Sequence, residues 1–293
     1  MFDITDYHES KWFEMNLQEK KDALIRLEKE IASRQKNRPE IPIFFDPTMK
    51  SHELGGYSPN KKRIRINANL LLDNENLNVL YDLVGTIIHE GWHVYQYHAM
   101  DNPGFHPKPG EVAVWEQNDR YYYRSSEDDA LDSLYRMQGL ERSAKQHEID
   151  GLKSFYKEVE EATGMSNPGL GNYLLREKAI QNQFRHVFAT EFLLPHFTPT
   201  ELSKLRRYPS LIYREMDRLI REKQIQDKRN QRKPRVKRLN RDQRKPRVKP
   251  QDQGQLKPRV KPQDQRQPRL KPQDQDQHTL RVQQQRVRNL GGK

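Results

Sequence analysis

The stretch from Leu83 to Tyr97 has one carboxylate and no lysine or arginine, and it constrains this chain more than any other feature. Leu80, Val84, Ile87, Gly91 and Tyr95 recur at helical spacing, which predicts a largely buried helix. Inside it lies His89-Glu90-Gly91-Trp92-His93, an H-E-x-x-H pattern. A step of four residues on an α-helix overshoots one turn by about 40° and rises about 6 Å, so both imidazoles leave one face and reach a single ion. Glu90 sits one residue round from His89, where its carboxylate can contact the reacting water without being a ligand. A carboxylate between two histidines in a buried helix is costly unless a cation compensates it. Chance accounts for only about 0.03 such matches in a chain of this length and composition, and a surface histidine pair would tolerate charged neighbours that are absent here.

Two histidines do not complete a catalytic zinc site, which takes three protein ligands and leaves one position open. The direct continuation H-x-x-G-x-x-H is missing, because Gln96 stands where glycine would be and Ala99 where the third histidine would be. The third ligand is therefore expected from a separate helix. Glu111, Glu116, Glu127 and Glu141 lie downstream. On a helix Leu134, Gln138 and Glu141 share a face with Ala144 one turn on, a small residue that admits a neighbouring helix, and Gln138 could orient the carboxylate. Glu127 belongs to an acid cluster suited to a helix N-terminus, so it ranks second.

Charge divides the chain. Residues 226–293 hold 22 of the 53 Lys and Arg residues but only 6 of the 41 Asp and Glu, so this segment is +16 and residues 1–225 are −4. The segment has no aromatic residue and cannot bury enough surface to offset chain entropy, which predicts a disordered tail. Lys-Pro-Arg-Val-Lys recurs at 233, 245 and 257, and Lys-Pro-Gln-Asp-Gln at 249, 261 and 271. Such copies are low complexity, and prolines four apart do not make the P-x-x-P ligand pattern. The tail is expected to attract nucleic acid or another polyanion in a salt-dependent way, without base-stacking aromatics; drifting tandem duplication with no selected partner accounts for it too. The absence of cysteine excludes disulfides and thiolate metal sites, so any zinc must be held by histidine and carboxylate. No recognisable secretory signal opens the chain and no apolar run approaches 18 residues. The expectation is a cytoplasmic product as synthesised, compatible with signal-independent export.

In chain order, Asn16–Ala32 predicts an amphipathic helix and Ile41–Phe45 a short strand. Turn chemistry at Gly55-Gly56-Tyr57-Ser58-Pro59-Asn60, followed by the alternation Arg63-Ile64-Arg65-Ile66-Asn67, predicts a hairpin ahead of the metal helix. The edge of that hairpin suits an extended peptide. The metal helix is capped by Asn76 or Asn78 and ends near Asp101-Asn102-Pro103-Gly104. A loop follows through Gly110. Ser125 and Ser126 cap a helix running to about Ala162, and accessory helices, broken near Pro195 and Pro199, occupy 170–225. The boundaries are 1–35 for a helical lead-in, 36–225 for the metal-binding domain and 226–293 for the tail.

The segment from Gly56-Tyr57 through Ile64-Arg65-Ile66-Asn67 and Leu71-Leu72, the His89-Glu90-x-x-His93-x-x-Gln96 helix, His106-Pro107, Trp115 and Tyr135-x-x-Gln138-x-x-Glu141-x-x-Ala144 resemble the zincin metallopeptidase domains at the C-terminal ends of bacterial polymorphic toxins. The resemblance covers residues 12–150. It implies an α+β zincin fold, mainly helical with a small antiparallel sheet, with zinc on His89, His93 and Glu141 and Glu90 as general base. The expected activity is zinc-dependent hydrolysis of peptide bonds in a toxin-type effector. An oxyanion donor is needed; Tyr121, Tyr122, Tyr123, Tyr135, His106 and His147 are candidates that the sequence does not rank. The competing class is a zincin-shaped binding protein that no longer cleaves and is localised by its tail, but a purely structural site would not need Glu90.

Overall fold

The structure, a computed structural model, describes residues 2–35, 38–74, 76–206 and 209–232. The repeat tail expected over 226–293 lies outside the described residues from 233 onward. Residues 226–232 are the end of a helix rather than the start of the tail.

Two N-terminal helices open the chain: α1 (Glu9–Glu14) and α2 (Leu17–Arg34). The second starts at a reciprocal capping box, in which the Asn16 side chain accepts from the Glu19 amide and Glu19 accepts from the Asn16 amide. Its apolar stripe, Ala23, Leu24, Leu27 and Ile31, is buried. Strands β1 (Ile43–Asp46), β2 (Gly55–Ser58) and β3 (Arg63–Asn67) form one sheet in the order β1-β3-β2. The expected hairpin forms, with Tyr57 opposite Ile64. The sheet is mixed, however, not antiparallel as expected, because β1 runs parallel to β3 with Ile43 opposite Ile64. β1 belongs to no hairpin: the chain passes first to β2 at the other edge, and the hairpin turn then brings β3 into the middle, running in the direction of β1.

α3 (Asn78–Asp101) is the central element, with residues from Val79 to Ala99 buried on several faces. Leu77, at its N-cap position, offers no side-chain acceptor, but the Asn76 side chain, one residue earlier, accepts from the amide of Asn78, the first residue of the helix, at 3.1 Å. The loop expected through Gly110 ends sooner, since α4 (Pro109–Arg120) starts with proline in its first turn. The single helix expected from Ser126 to Ala162 is two, α5 (Asp129–Met137) and α6 (Gly139–Thr163). Gln138 breaks it with extended backbone, φ −63° and ψ 148°. Asp128, not Ser125 or Ser126, caps α5 by accepting from the Leu131 amide. α7 (Pro168–Phe188), α8 (Pro199–Arg206) and α9 (Pro209–Arg232) follow.

The main core joins Tyr7, Trp12, Leu24 and Leu27 to Ile64 and Ile66 of the sheet, Leu80, Val84 and Ile87 of α3, and Leu152 and Tyr156 of α6. Residues 1–35 thus pack in the same core as α3. α3 and α6 approach closely at Gly151, where a Cβ would stand 2.9 Å from Ile88 Cγ2. That approach brings α6 against the histidine face of α3. Among the described residues no helix is long and apolar enough to cross a membrane.

Candidate metal centre

α3 delivers His89 and His93 to one face, one turn apart, and α6 faces them with Glu141 from its first turn. His89 Nε2 and His93 Nε2 are 3.2 Å apart. One Glu141 oxygen lies 3.3 Å from each ring nitrogen, Oε2 beside His89 and Oε1 beside His93. Zinc bonds of 2.0–2.2 Å at tetrahedral angles require donor atoms about 3.3–3.6 Å apart. The three side chains therefore form a group that can hold a metal ion. Two imidazoles with a carboxylate suit a borderline transition metal better than calcium or magnesium, which prefer all-oxygen shells.

The outer nitrogens are occupied in a way that leaves each Nε2 facing the centre. His89 Nδ1 donates to Glu148 Oε2 at 3.1 Å, and His93 Nδ1 to Gln96 Oε1 at 2.7 Å. Gln96 is itself held, its Nε2 donating to the Leu140 carbonyl at 3.1 Å and to Ser143 Oγ at 2.7 Å. Lys145, bridging Glu148 at 2.6 Å and Glu177 of α7 at 2.7 Å, fixes the far oxygen of Glu148. Partners of this kind set the tautomer and orientation of metal-ligating histidines.

The electrostatics ask for a cation. Burial alone would lower the pKa of His89, but hydrogen bonds to Glu141 and Glu148, with the charges of Glu90 and Glu141, push it up to about 10. Burial opposes ionisation of Glu141, yet the two histidines hold its carboxyl well below the usual range. In the chain alone, protonated rings supply the positive charge that Glu90, Glu141 and Glu148 demand. A divalent ion can replace those protons, which is the exchange a histidine–carboxylate metal site makes.

Glu90 is 8% exposed, and its Oε2 accepts the Tyr57 amide of β2 at 2.6 Å. The sheet edge therefore lies directly beside it. Gly91 has a reason in the tertiary structure: a Cβ there would stand 2.6 Å from Arg38 Nη2. Arg38 is buried, forked onto Glu28 at 2.9 and 3.1 Å, and donates from Nε to Gln35. Its guanidinium packs flush on the metal helix because residue 91 has no side chain.

The other sequence candidates separate. Glu127 is exposed and outside the cluster. Glu111 pairs with Lys108 and His106, and Glu116 is not in the group. Gln138, expected to orient the carboxylate, instead clasps the Tyr123 backbone, accepting from its amide at 3.3 Å and donating to its carbonyl at 2.9 Å. The helix break at 138 turns that side chain away from Glu141. The clasp places Tyr122, whose hydroxyl donates to Glu141 Oε1. Tyr135 packs edge-on to Tyr122 and feels the charges of Glu141 and Glu90. Burial, then Glu141, pushes both phenols well above their ordinary value, so both remain protonated donors. Tyr121 sits under Lys228, Tyr123 donates to Asp227, and His106 bonds Tyr95. His147 stacks on Trp92 at 3.9 Å. Glu148 and Arg38 were not anticipated. Glu148 had a signal, seven residues and two turns beyond Glu141 on the same face. Arg38 had none, being far from Gly91 in sequence.

Comparison of the chain with protein-family models, curated proteins and solved structures finds no match, so the functional reading rests on the residues and their geometry.

Proposed function

We propose that the chain is a zinc-dependent peptidase of zincin type, with His89, His93 and Glu141 as ligands and Glu90 as general base. The observation that carries this reading is the convergence of the three donors with a fourth buried group, Glu90, that is not one of them. Zinc held there would lower the pKa of a bound water to about 7 and polarise the substrate carbonyl. Glu90 takes the proton of the attacking water and returns it to the leaving amine. Its second oxygen is held by the Tyr57 amide, which fixes the carboxylate in place. The Tyr122 proton is given to Glu141 and Tyr135 is bonded to the same carboxylate, so one of these hydroxyls must turn from Glu141 to the substrate to serve the developing oxyanion. For an extended peptide to add as a strand along β2, the Tyr57 amide must pass from Glu90 to the substrate. The toxin-type role rests on motif resemblance alone.

Metal content and cleavage test the reading together. Purified full-length protein is expected to hold one zinc per chain by mass spectrometry, lost in His89→Ala and in Glu141→Ala. Glu90→Gln is expected to keep the zinc and to lose cleavage of a mixture of denatured proteins by at least about 100-fold. Full cleavage by Glu90→Gln would falsify the mechanism. A folded wild type that takes up no metal would remove the site.

A further inference from the structure

A second cavity, of about 710 Å³, opens between the segment 120–123 and α9. That size is ordinary for a ligand pocket. Its charged lining is Arg120, the last residue of α4, with Asp227 and Lys228 of α9. Asp227 is already engaged, accepting from the Tyr123 hydroxyl at 3.0 Å and pairing with Lys223 at 3.1 Å. Arg120 and Lys228 are exposed, and neither pairs with a carboxylate among the described residues. Lys228 rests 4.7 Å over the Tyr121 ring, a contact that leaves its charge intact. Two like charges on one cavity wall, with the wall's own carboxylate already spoken for, ask for an anion. The cavity also has a telling position. Tyr122 lines it while the Tyr122 hydroxyl donates to Glu141, so the cavity reaches within one tyrosine's length of the carboxylate that closes the metal group.

We propose that this cavity is an anion subsite of the peptidase, in which Arg120 and Lys228 take a carboxylate of the peptide substrate, from an Asp or Glu side chain or from a free C-terminal end. The substrate class rests on the peptidase reading; the preference for an anion rests on the cavity. A guanidinium presents parallel N–H donors that match the two oxygens of a carboxylate, and an ammonium adds a point charge with rotatable donors. A carboxamide of the same shape brings no charge, and an apolar side chain brings no acceptor either. A substrate lysine or arginine would add a third positive charge to the wall. A nucleic-acid strand would bring repeated phosphates past the Asp227 carboxylate. One carboxylate beside a peptide bond at the metal fits both the two free cations and their position.

The binding arm of the test does not depend on turnover. Full-length, zinc-loaded Glu90→Gln protein is titrated with fluorescent, end-blocked, alanine-rich hexapeptides that differ only by Glu, Gln or Lys, that residue being walked through each position. A Gln peptide with a free C-terminal carboxylate completes the set. Glu at one position is expected to bind about tenfold tighter than Gln there, the worth of a charge-assisted hydrogen bond, and Lys more weakly than Gln. A gain by the free-ended peptide in place of the Glu peptides assigns the carboxylate to the chain end. Either gain should vanish in an Arg120→Gln version and largely survive in Arg120→Lys. Arg120 is exposed, so both versions should match their parent in zinc content and melting midpoint, which separates loss of the subsite from loss of the fold. Equal affinity for Glu, Gln and free-ended peptides, or a preference that persists in both Arg120→Gln and Lys228→Gln, overturns the subsite. A labelled short oligothymidylate that binds more tightly than the acidic peptides, and loses that affinity in Arg120→Gln, would reassign the cavity to nucleic-acid phosphate and overturn it too. The cleavage arm uses the wild type and the same peptides. Cleavage with no acid preference in kcat/KM overturns the subsite and leaves the peptidase standing. Acid-selective binding that depends on Arg120, without any cleavage, supports the subsite and sinks the peptidase.

Discussion

Glu148 acts on the candidate metal through His89, without touching it. Its Oε2 accepts from His89 Nδ1, and Lys145 holds its other oxygen. Removing a partner of this kind leaves the ligands in place but loosens the ring and lowers its basicity. Glu148→Ala is expected to weaken zinc binding about 10–100-fold, read by competition with a chromophoric chelator. Glu148→Gln keeps an acceptor but drops the charge, and should fall between. Unchanged affinity in Glu148→Ala would reduce the contact to packing. At this scale the histidine pair and Glu90 were legible because their geometry is set within one helix turn. Glu141 could be ranked but not chosen from sequence, since a helix face says which residues point together and not what they meet. Gln138 shows the limit: the face argument assumed one helix, and the break at 138 hands its amide to Tyr123.

Helix α6 meets α3 along a seam in which aromatic and ionisable groups interleave. Trp92 stacks between Tyr95, at 4.4 Å, and His147, at 3.9 Å, and His147 Nε2 bonds the Gln35 side chain at the end of α2. Burial holds His147 down at about 4; Asp150 opposes this, and the charges of Arg38 and His89 add to it. The unfolded chain takes up this proton near pH 6.5. Because the folded pKa is the lower one, the stability linked to this group is present above about pH 6.5 and is lost as pH falls toward 4. The loss reaches about 3 kcal/mol at most, the full shift converted to free energy. Urea midpoints between pH 7 and 4.5 should fall more steeply for wild type than for His147→Phe, which keeps the stack and removes the titration. Parallel curves would place the acid sensitivity elsewhere. The helical periods of α2 and α3 and the alternation in β3 were readable because apolar spacing reports one element's own face. The direction of β1 and the start of α4 were not, since both depend on how the chain travels between elements.

At the scale of the fold, the N-terminal helices share the core into which α3 packs. Trp12 is fully buried, with Tyr7 stacked 6.4 Å away and the Lys20 ammonium 5.6 Å above its ring. Trp12→Ala is expected to cost about 3–5 kcal/mol in chemical denaturation, as for other large buried aromatics. A loss below about 1 kcal/mol would show that residues 1–35, expected as a helical lead-in, contribute little to the shared core. The sequence by itself determined the central helix, its two histidines and Glu90, and the hairpin ahead of it, because each depends on spacing within a few residues. Only the tertiary structure decided that Glu141 closes the group, that Glu148 and Gln96 hold the rings, that Arg38 occupies the space left by Gly91, and that Tyr122 donates to Glu141. Those contacts join residues far apart in the chain, and which of many chemically equivalent side chains meet is set by how helices and sheet pack to bury their apolar faces.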